Sequence, residues 1–404
     1  MKYVIVIGDG MPDLPSGPRG STPLQEAHHP NMDEVASRGV VGAVDPIPEG
    51  MEPGSDVAIM GLMGYDPKKY YTGRGPLEAA GIGIELHEGD LAFRCNLITE
   101  EEGVLADYAA GHIGDEEAKE LITYLNLSLS GPGQVKLYAG VSYRHLLVLE
   151  GGFSDHIKCM PPHDAVGRRI IEIMVEPLDE EGETTAEFLN GLILRSQQLL
   201  SNHPINLERV KKGLRPANMI WPWGFGRKPT MPSFSSLYGL RGSVISAVNL
   251  VKGIGSCAGM KVIEVPGATG YIDTNYEGKA DYALKALDEG VELVYIHVEA
   301  PDEAGHAGDF ELKVKAIEDL DRRLLGRLLD KLDEDAVIAI VSDHLTPISV
   351  KTHLKGPIPF AYASAKGSLK EKRKFDEGLT RGVTPISGPS LLKMILGMIS
   401  REAS

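Results

Sequence analysis

Met1-Lys2-Tyr3-Val4-Ile5-Val6-Ile7-Gly8-Asp9 opens the chain. Tyr3–Ile7 is a short, nearly continuous apolar run, the pattern of a strand covered on both faces in a parallel sheet, and it stops at a carboxylate. Thr22-Pro23 predicts an N-cap followed by proline at the first helical position. Pro30–Arg38 with Gly39 behind it predicts a helix stopped by glycine, and Val40–Val44 a second strand. The same grammar returns far downstream, where Lys261–Val265, Leu293–Val298 and Ala336–Val341 are β-branched apolar runs. Between the last two, Ile317, Leu320, Leu324, Leu328 and Leu332 recur at three- and four-residue steps, predicting an amphipathic helix over Asp309–Leu332. Strands alternating with helices imply an α/β fold with a doubly wound, mostly parallel sheet.

The early and late strands share one sheet only if the middle is an insertion. Residues 88–235 indeed have a different texture. Val135–Tyr138 and His145–Leu149, separated by Gly140, predict paired antiparallel strands, and Asp115–Leu125 and Thr184–Leu200 predict helices. Asn218-Met219-Ile220-Trp221-Pro222-Trp223-Gly224-Phe225-Gly226 reads as an irregular connection back to the core. The expected organisation is a discontinuous core, 1–87 and 236–404, carrying an inserted smaller α+β substrate or lid domain at 88–235.

The chain has 404 residues with 41 basic and 57 acidic side chains, a net charge of −16. That field repels polyanions, so nucleic acid and anionic membranes are not expected as partners. No stretch approaches eighteen apolar residues, and no membrane span is expected. The opening residues lack a secretory apolar core, and three cysteines, Cys95, Cys159 and Cys257, fit neither a paired framework nor a metal knuckle. A reducing, cytoplasmic setting is the expectation. The sequence carries no signal for oligomeric state.

Carboxylates and histidines fall just beyond the apolar runs. Asp9 follows the first, Asp302 and His306 follow Val298, Asp343 and His344 follow Val341, and His353 comes nine residues later. Open α/β sheets bind their ligands at carboxyl ends of strands, so one surface would hold all six. A donor set of this size suits two divalent ions. Asp302, His306 and His353 form one set; Asp9, Asp343 and His344 form the other, with a position open for a reacting oxygen. The i, i+4 spacing of Asp302 and His306 brings them together if that turn is helical, while the glycines beside His306 suit a loop equally well.

In Pro53-Gly54-Ser55-Asp56-Val57-Ala58-Ile59-Met60 a glycine-preceded serine opens an apolar, helix-like stretch. Ser55 at such a helix start suits an alkoxide or phosphate beside unpaired N–H groups, and an ordinary N-cap equally. Arg74, Arg94, Arg144, His145, Lys252 and the pair Arg168-Arg169 are candidates to clamp an anionic substrate. His163-Asp164 reads as a structural hydrogen-bonded pair, and Trp221 and Trp223 as packing residues. Gly253-Ile254-Gly255-Ser256-Cys257-Ala258-Gly259 matches a dinucleotide loop only loosely, its third glycine one position late, and no phosphate-binding GxxxxGK[ST] is present.

Ile7-Gly8-Asp9-Gly10-Met11, Gly54-Ser55-Asp56-Val57-Ala58, Gly64-Tyr65-Asp66-Pro67, Tyr71-Thr72-Gly73-Arg74-Gly75-Pro76-Leu77-Glu78-Ala79, Val265-Pro266-Gly267-Ala268-Thr269-Gly270, Ala300-Pro301-Asp302-Glu303-Ala304-Gly305-His306 and Ser342-Asp343-His344-Leu345-Thr346-Pro347 together resemble the archaeal-type branch of the cofactor-independent phosphoglycerate mutases, in the alkaline phosphatase superfamily. The resemblance spans nearly the whole chain. It implies an alkaline-phosphatase-like fold and a two-metal phosphoryl-transfer site, usually manganese, although zinc, magnesium or cobalt suit the same donors. It implies Ser55 as a nucleophile that becomes phosphorylated, with Asp9, Ser55, Asp343 and His344 around one ion and Asp302, His306 and His353 around the other. In such an enzyme 3-phosphoglycerate, a small phosphorylated substrate, gives its phosphate to Ser55, glycerate reorients between core and lid, and the 2-hydroxyl takes the phosphate back.

One departure is visible. Where mutases of this branch carry a basic stretch in the lid, this chain reads Asp107-Tyr108-Ala109-Ala110-Gly111-His112. That wording, with Arg94-Cys95-Asn96-Leu97 and Trp221-Pro222-Trp223-Gly224, is similar to a bacterial subgroup proposed as homoserine kinases, in which ATP would be the donor.

Overall fold

The computed structural model describes residues 1–129 and 134–398. Contacts divide the chain into two compact units, residues 1–71 with 230–404 and residues 72–229. The second unit thus begins at 72 rather than 88. The reason is local: the helix Arg74–Gly81 covers the same sheet face as Leu146 and Val148, with Ala79 against Ala92.

The first unit is built on an eight-stranded sheet. Its strands run in the order Lys261–Ile263, Gly242–Ile245, Leu293–Val298, Tyr3–Gly8, Val337–Val341, Ile358–Ser364, Val40–Asp45, Ile386–Ser387. All neighbours pair in parallel except those of Ile358–Ser364, which runs antiparallel to both. Every residue of Tyr3–Gly8 and Leu293–Val298 is buried, as their continuous apolar pattern requires under helices on both faces. Thr22 forms a reciprocal capping box with Gln25 before Pro23, and the helix Pro30–Arg38 ends at Gly39. That helix is capped from outside, because Asp321 accepts from the N–H groups of Met32 (2.7 Å) and Asn31 (3.2 Å). The long helix expected over Asp309–Leu332 begins with Asp309 as its cap but runs through a wider π-type turn at Leu320–Leu325, which holds Asp321.

The second unit centres on the strand Leu91–Glu101, which pairs antiparallel with Val104–Asp107, Arg144–Leu149 and Met219–Gly226, while Val135–Tyr138 pairs with Arg144–Leu149. Phe93, Cys95, Leu97, Leu147 and Leu149 pack with Leu121, Leu125, Leu189 and Ile193 of the helices Asp115–Leu129 and Glu183–Leu200. The stretch 218–226 is not the irregular connection that its composition predicts, because Met219–Gly226 is a strand in register with Ile98 through Ala92. It is tolerated as one because, among the described residues, it pairs with Leu91–Glu101 alone, so Pro222 can turn its missing N–H away from the ladder. The register shift between Ala92 and Arg94 absorbs an extra residue near Gly224, whose φ is +57°.

Candidate active site

Three parallel strands deliver the site. Asp9 follows Tyr3–Gly8; Asp302 lies in the helix Ala300–Ala307 that follows Leu293–Val298; Asp343 and His344 follow Val337–Val341. Because the turn after Val298 is helical, Asp302 and His306 do share a face, with His306 Nε2 3.2 Å from Asp302 Oδ2. His353 Nε2 lies 3.0 Å from His306 Nε2 and 3.5 Å from Asp302 Oδ1.

His344 sits between the two sets. Its Nε2 is 3.5 Å from Asp9 Oδ1, 3.3 Å from Asp343 Oδ2 and 3.1 Å from Ser55 Oγ. Its ring stacks on His353 with centroids 3.9 Å apart. Ligand atoms of Asp9, Asp343 and His344, and likewise of Asp302, His344 and His353, lie within 4.8 Å of one another. Among the described residues, Asp9 Oδ1 and Asp343 Oδ2 are buried without a hydrogen-bond partner. Two orphaned carboxylate oxygens facing imidazole nitrogens are costly unless a cation joins them, so the donor set fits divalent ions.

The charges respond to this crowding. Burial, reinforced by Asp343, Asp302 and Glu299, pushes the Asp9 carboxyl well above its usual range. Burial acts the same way on Asp302, but hydrogen bonds from His306 and His353 outweigh it and hold that carboxyl well below the usual range. The Asp302 carboxylate raises His306 to about 9, whereas burial lowers His344.

Ser55 is the first residue of the helix Ser55–Leu62, and the N-cap position belongs to Gly54 in extended backbone. The capping alternative is therefore set aside, and the hydroxyl stands at the positive end of the helix facing His344. Asp56 holds this helix start, accepting from Val57 N–H (2.9 Å) and the Tyr71 hydroxyl (2.6 Å).

Several residues that shape the site were not among the expected ligands. Thr346 donates to Asp302 Oδ1 and lies 3.2 Å from His344 Nδ1. With its hydrogen given to Asp302, Thr346 accepts from Nδ1–H, which leaves His344 Nε2 with a free lone pair. His306 is oriented likewise, its Nδ1 donating to the Lys351 carbonyl (3.0 Å). Gly10 N–H donates to Asp343 Oδ1 (3.1 Å), and with φ at +59° a Cβ there would lie 2.6 Å from Asp302 Oδ1, so only glycine fits. Ser342 ties the Gly8 carbonyl (2.6 Å) to Met11 N–H (3.2 Å). The signal that marks His297 is that it is the one imidazole inside the apolar run Leu293–Val298; its Nε2 lies 2.9 Å from Asp9 Oδ2, and burial pulls its pKa down to about 4.

The expected anion clamp separates into groups. Arg74 and Arg94 both reach Glu78 Oε1, at 3.0 and 3.2 Å, and Arg94 lies over the Trp223 ring at 4.5 Å. Burial lowers Arg94 to about 10, with Arg74 and Arg144 adding repulsion, and Arg144 lies over Tyr143 at 5.0 Å. Trp223, expected only to pack, is thus a platform for a guanidinium, while Trp221 is buried and donates to the Met160 carbonyl (2.8 Å). His145 points to the other face of its strand, opposite Cys95, buried, its Nδ1 accepting from Gly140 N–H (3.1 Å). Lys252 belongs to the first unit and is held by both oxygens of Glu264 at 2.8 Å. Arg169 bridges to Val104, and Arg168 reaches the Glu172 carbonyl, both away from Arg94 in the sheet. His163 and Asp164 are 3.8 Å apart and not hydrogen-bonded; His163 edges onto Trp223 instead. The arginine-free stretch 107–112 receives guanidinium groups from elsewhere, Arg215 on Asp107 (2.8 Å) and Arg209 on the Ala110 carbonyl (3.0 Å).

Residues 36–206 match the family model of 2,3-bisphosphoglycerate-independent phosphoglycerate mutase, and residues 175–357 that of type I phosphodiesterase / nucleotide pyrophosphatase. A 2,3-bisphosphoglycerate-independent phosphoglycerate mutase of Methanosarcina acetivorans is 52% identical over 365 residues, 89% of this chain and 90% of the relative. A second such protein, from Methanothermobacter thermautotrophicus, is 50% identical over 94% of this chain and 93% of its own length. Among solved structures, a cofactor-independent phosphoglycerate mutase from Thermoplasma acidophilum aligns with a TM-score of 0.68 at 30% identity, covering 99% of this chain and 100% of that one. With half its residues shared across nine-tenths of its length, and the strand-end carboxylates and imidazoles converging on Ser55, the chain belongs to the 2,3-bisphosphoglycerate-independent phosphoglycerate mutases.

Proposed function

We propose that this chain interconverts 3-phosphoglycerate and 2-phosphoglycerate through a phosphoserine at Ser55, in the cytoplasm. The observation that carries the reading is the Ser55 hydroxyl at a helix start, 3.1 Å from His344 Nε2 and among buried, unpaired carboxylate oxygens. Divalent ions, manganese in this reading, would be held by Asp9, Ser55, Asp343 and His344 and by Asp302, His306 and His353; when bound they make the hydroxyl a stronger nucleophile and offset charge on the phosphoryl group.

Ser55 Oγ attacks phosphorus, the bond to the 3-oxygen breaks, and the serine proton ends on that oxygen. In the return step the 2-hydroxyl of glycerate attacks the phosphoserine, the bond to Oγ breaks, and the proton returns to Ser55. The positive end of the Ser55–Leu62 helix favours the phosphate on Oγ. Arg74, Arg94 and Arg144 are proposed to hold the anionic groups of phosphoglycerate, Arg94 through a planar fork kept rigid by Trp223.

Phosphorus NMR of manganese-loaded protein, incubated separately with 3-phosphoglycerate and with ATP plus homoserine, tests this. The expected product is 2-phosphoglycerate in the first mixture, lost in Ser55→Ala with both metals still bound by elemental analysis. Turnover only in the second mixture would make the chain a kinase.

A further inference from the structure

We infer that His297 positions Asp9 as a metal ligand, in a tautomer fixed by Ser246. This rests on reading Asp9 as a ligand, and it concerns two residues that no motif marks. Ser246 Oγ accepts from Val248 N–H (2.9 Å), so its own hydrogen is available to His297 Nδ1 at 3.2 Å. A neutral imidazole that accepts at Nδ1 carries its proton at Nε2, and Nε2 faces Asp9 Oδ2 at 2.9 Å. The backbone beneath the ring is held as well, because Lys279 Nζ donates to the His297 carbonyl at 2.8 Å.

The consequence falls on the other oxygen of Asp9. With Oδ2 anchored, the carboxylate cannot swing, and Oδ1 is left without a hydrogen-bond partner among the described residues, 3.5 Å from His344 Nε2. His297, Asp9 and Ser246 are all buried, so Asp9 Oδ2 is held by the imidazole and not by bulk solvent. Partners of this kind orient metal ligands, and removing them costs about 10- to 100-fold in metal affinity.

The test is calorimetric titration of Mn²⁺ into the metal-stripped full chain without substrate, which reads binding and not turnover. Wild type is expected to bind two equivalents. His297→Leu should weaken one of them about 10- to 100-fold and leave the other within about twofold. His297→Gln, which keeps an N–H donor at similar reach, should recover most of the loss, a rescue that mere filling of space would not give. Ser246→Ala, which leaves the imidazole but frees its tautomer, should weaken the same equivalent about threefold. A wild type that binds no Mn²⁺ overturns the metal reading and this inference with it. A wild type that binds two while His297→Leu binds both as tightly overturns the positioning role alone, as does a His297→Gln no better than the leucine. If His297→Leu does not fold by circular dichroism, Ser246→Ala decides, and unchanged affinity overturns the role.

Discussion

At the strand ends of the large sheet, the carboxylate and imidazole atoms belong to short side chains with two rotatable bonds, on backbone that the parallel ladder fixes, and Asp9, Asp343 and His344 are almost wholly buried. In the second unit the charged atoms sit at the tips of Arg74, Arg94 and Arg144, and their places depend on Glu78 and Tyr143 and on Trp223, which pairs with Arg94 across the antiparallel register. The first arrangement is set by topology and has little freedom left; the second is set by reach and stacking. Chemistry that needs atoms fixed to fractions of an ångström is suited to the first, and holding of a substrate that must change its orientation is suited to the second.

If topology fixes the first cluster, its most shared member should be its most sensitive. His344→Ala removes the one nitrogen that faces Asp9, Asp343 and Ser55 together. We expect kcat to fall by at least about a thousandfold and bound metal to fall with it, by elemental analysis. Retention of two ions and of activity would mean the clusters are not one site.

The two faces of Arg144–Leu149 sharpen the contrast within the second unit. His145 is buried against the packed face, and burial pulls its pKa from 6.5 to about 4. The unfolded chain therefore takes up the proton first. The stability due to the neutral ring is complete above pH 6.5, is lost as pH falls toward 4, and amounts to about 3 kcal/mol. His145→Asn keeps an acceptor for Gly140 N–H and removes the titration, so urea midpoints at pH 7 and 4.5 should converge in the variant. Both tryptophans of the chain, Trp221 and Trp223, lie in this unit, so their fluorescence reports its unfolding.

The same contrast explains what the sequence could disclose. Asp9, Asp302, Asp343 and His344 were legible because a parallel sheet converts distance along the chain into adjacency at its carboxyl edge. Ser246 was not, since a hydroxyl at the end of a short strand is indistinguishable from a turn residue until its partners are placed, and Thr346, although inside the motif at 342–347, showed no role until Asp302 and His344 stood beside it. In the second unit the strand Met219–Gly226 was hidden by Pro222 and Gly224, residues that usually end strands and that here sit at an unpaired edge and a bulge. With that strand unseen, the register that lays Trp223 under Arg94 and turns His145 to the opposite face was out of reach.

Arg94→Ala should leave metal content unchanged and raise KM for 3-phosphoglycerate about 10- to 100-fold, the cost of one charge-assisted fork. Arg94→Lys should recover little, because an ammonium can neither stack flat on Trp223 nor keep the Glu78 contact through Nε. A lysine variant equal to wild type would reduce this cluster to a diffuse positive field.

Trp223 offers the finest distinction. Its ring carries the Arg94 guanidinium at 4.5 Å, and its indole N–H donates to Asn96 Oδ1 at 2.9 Å, so the platform is itself pinned. Trp223→Leu keeps apolar bulk but loses the quadrupole and the anchor, a change of about 1 kcal/mol in how firmly Arg94 is held. If reach and stacking set this cluster, KM should rise about three- to fivefold with kcat and metal content unchanged. A fall in kcat at constant KM would instead place Trp223 in the chemical step, and the division between a rigid reacting site and an adaptable holding surface would not stand.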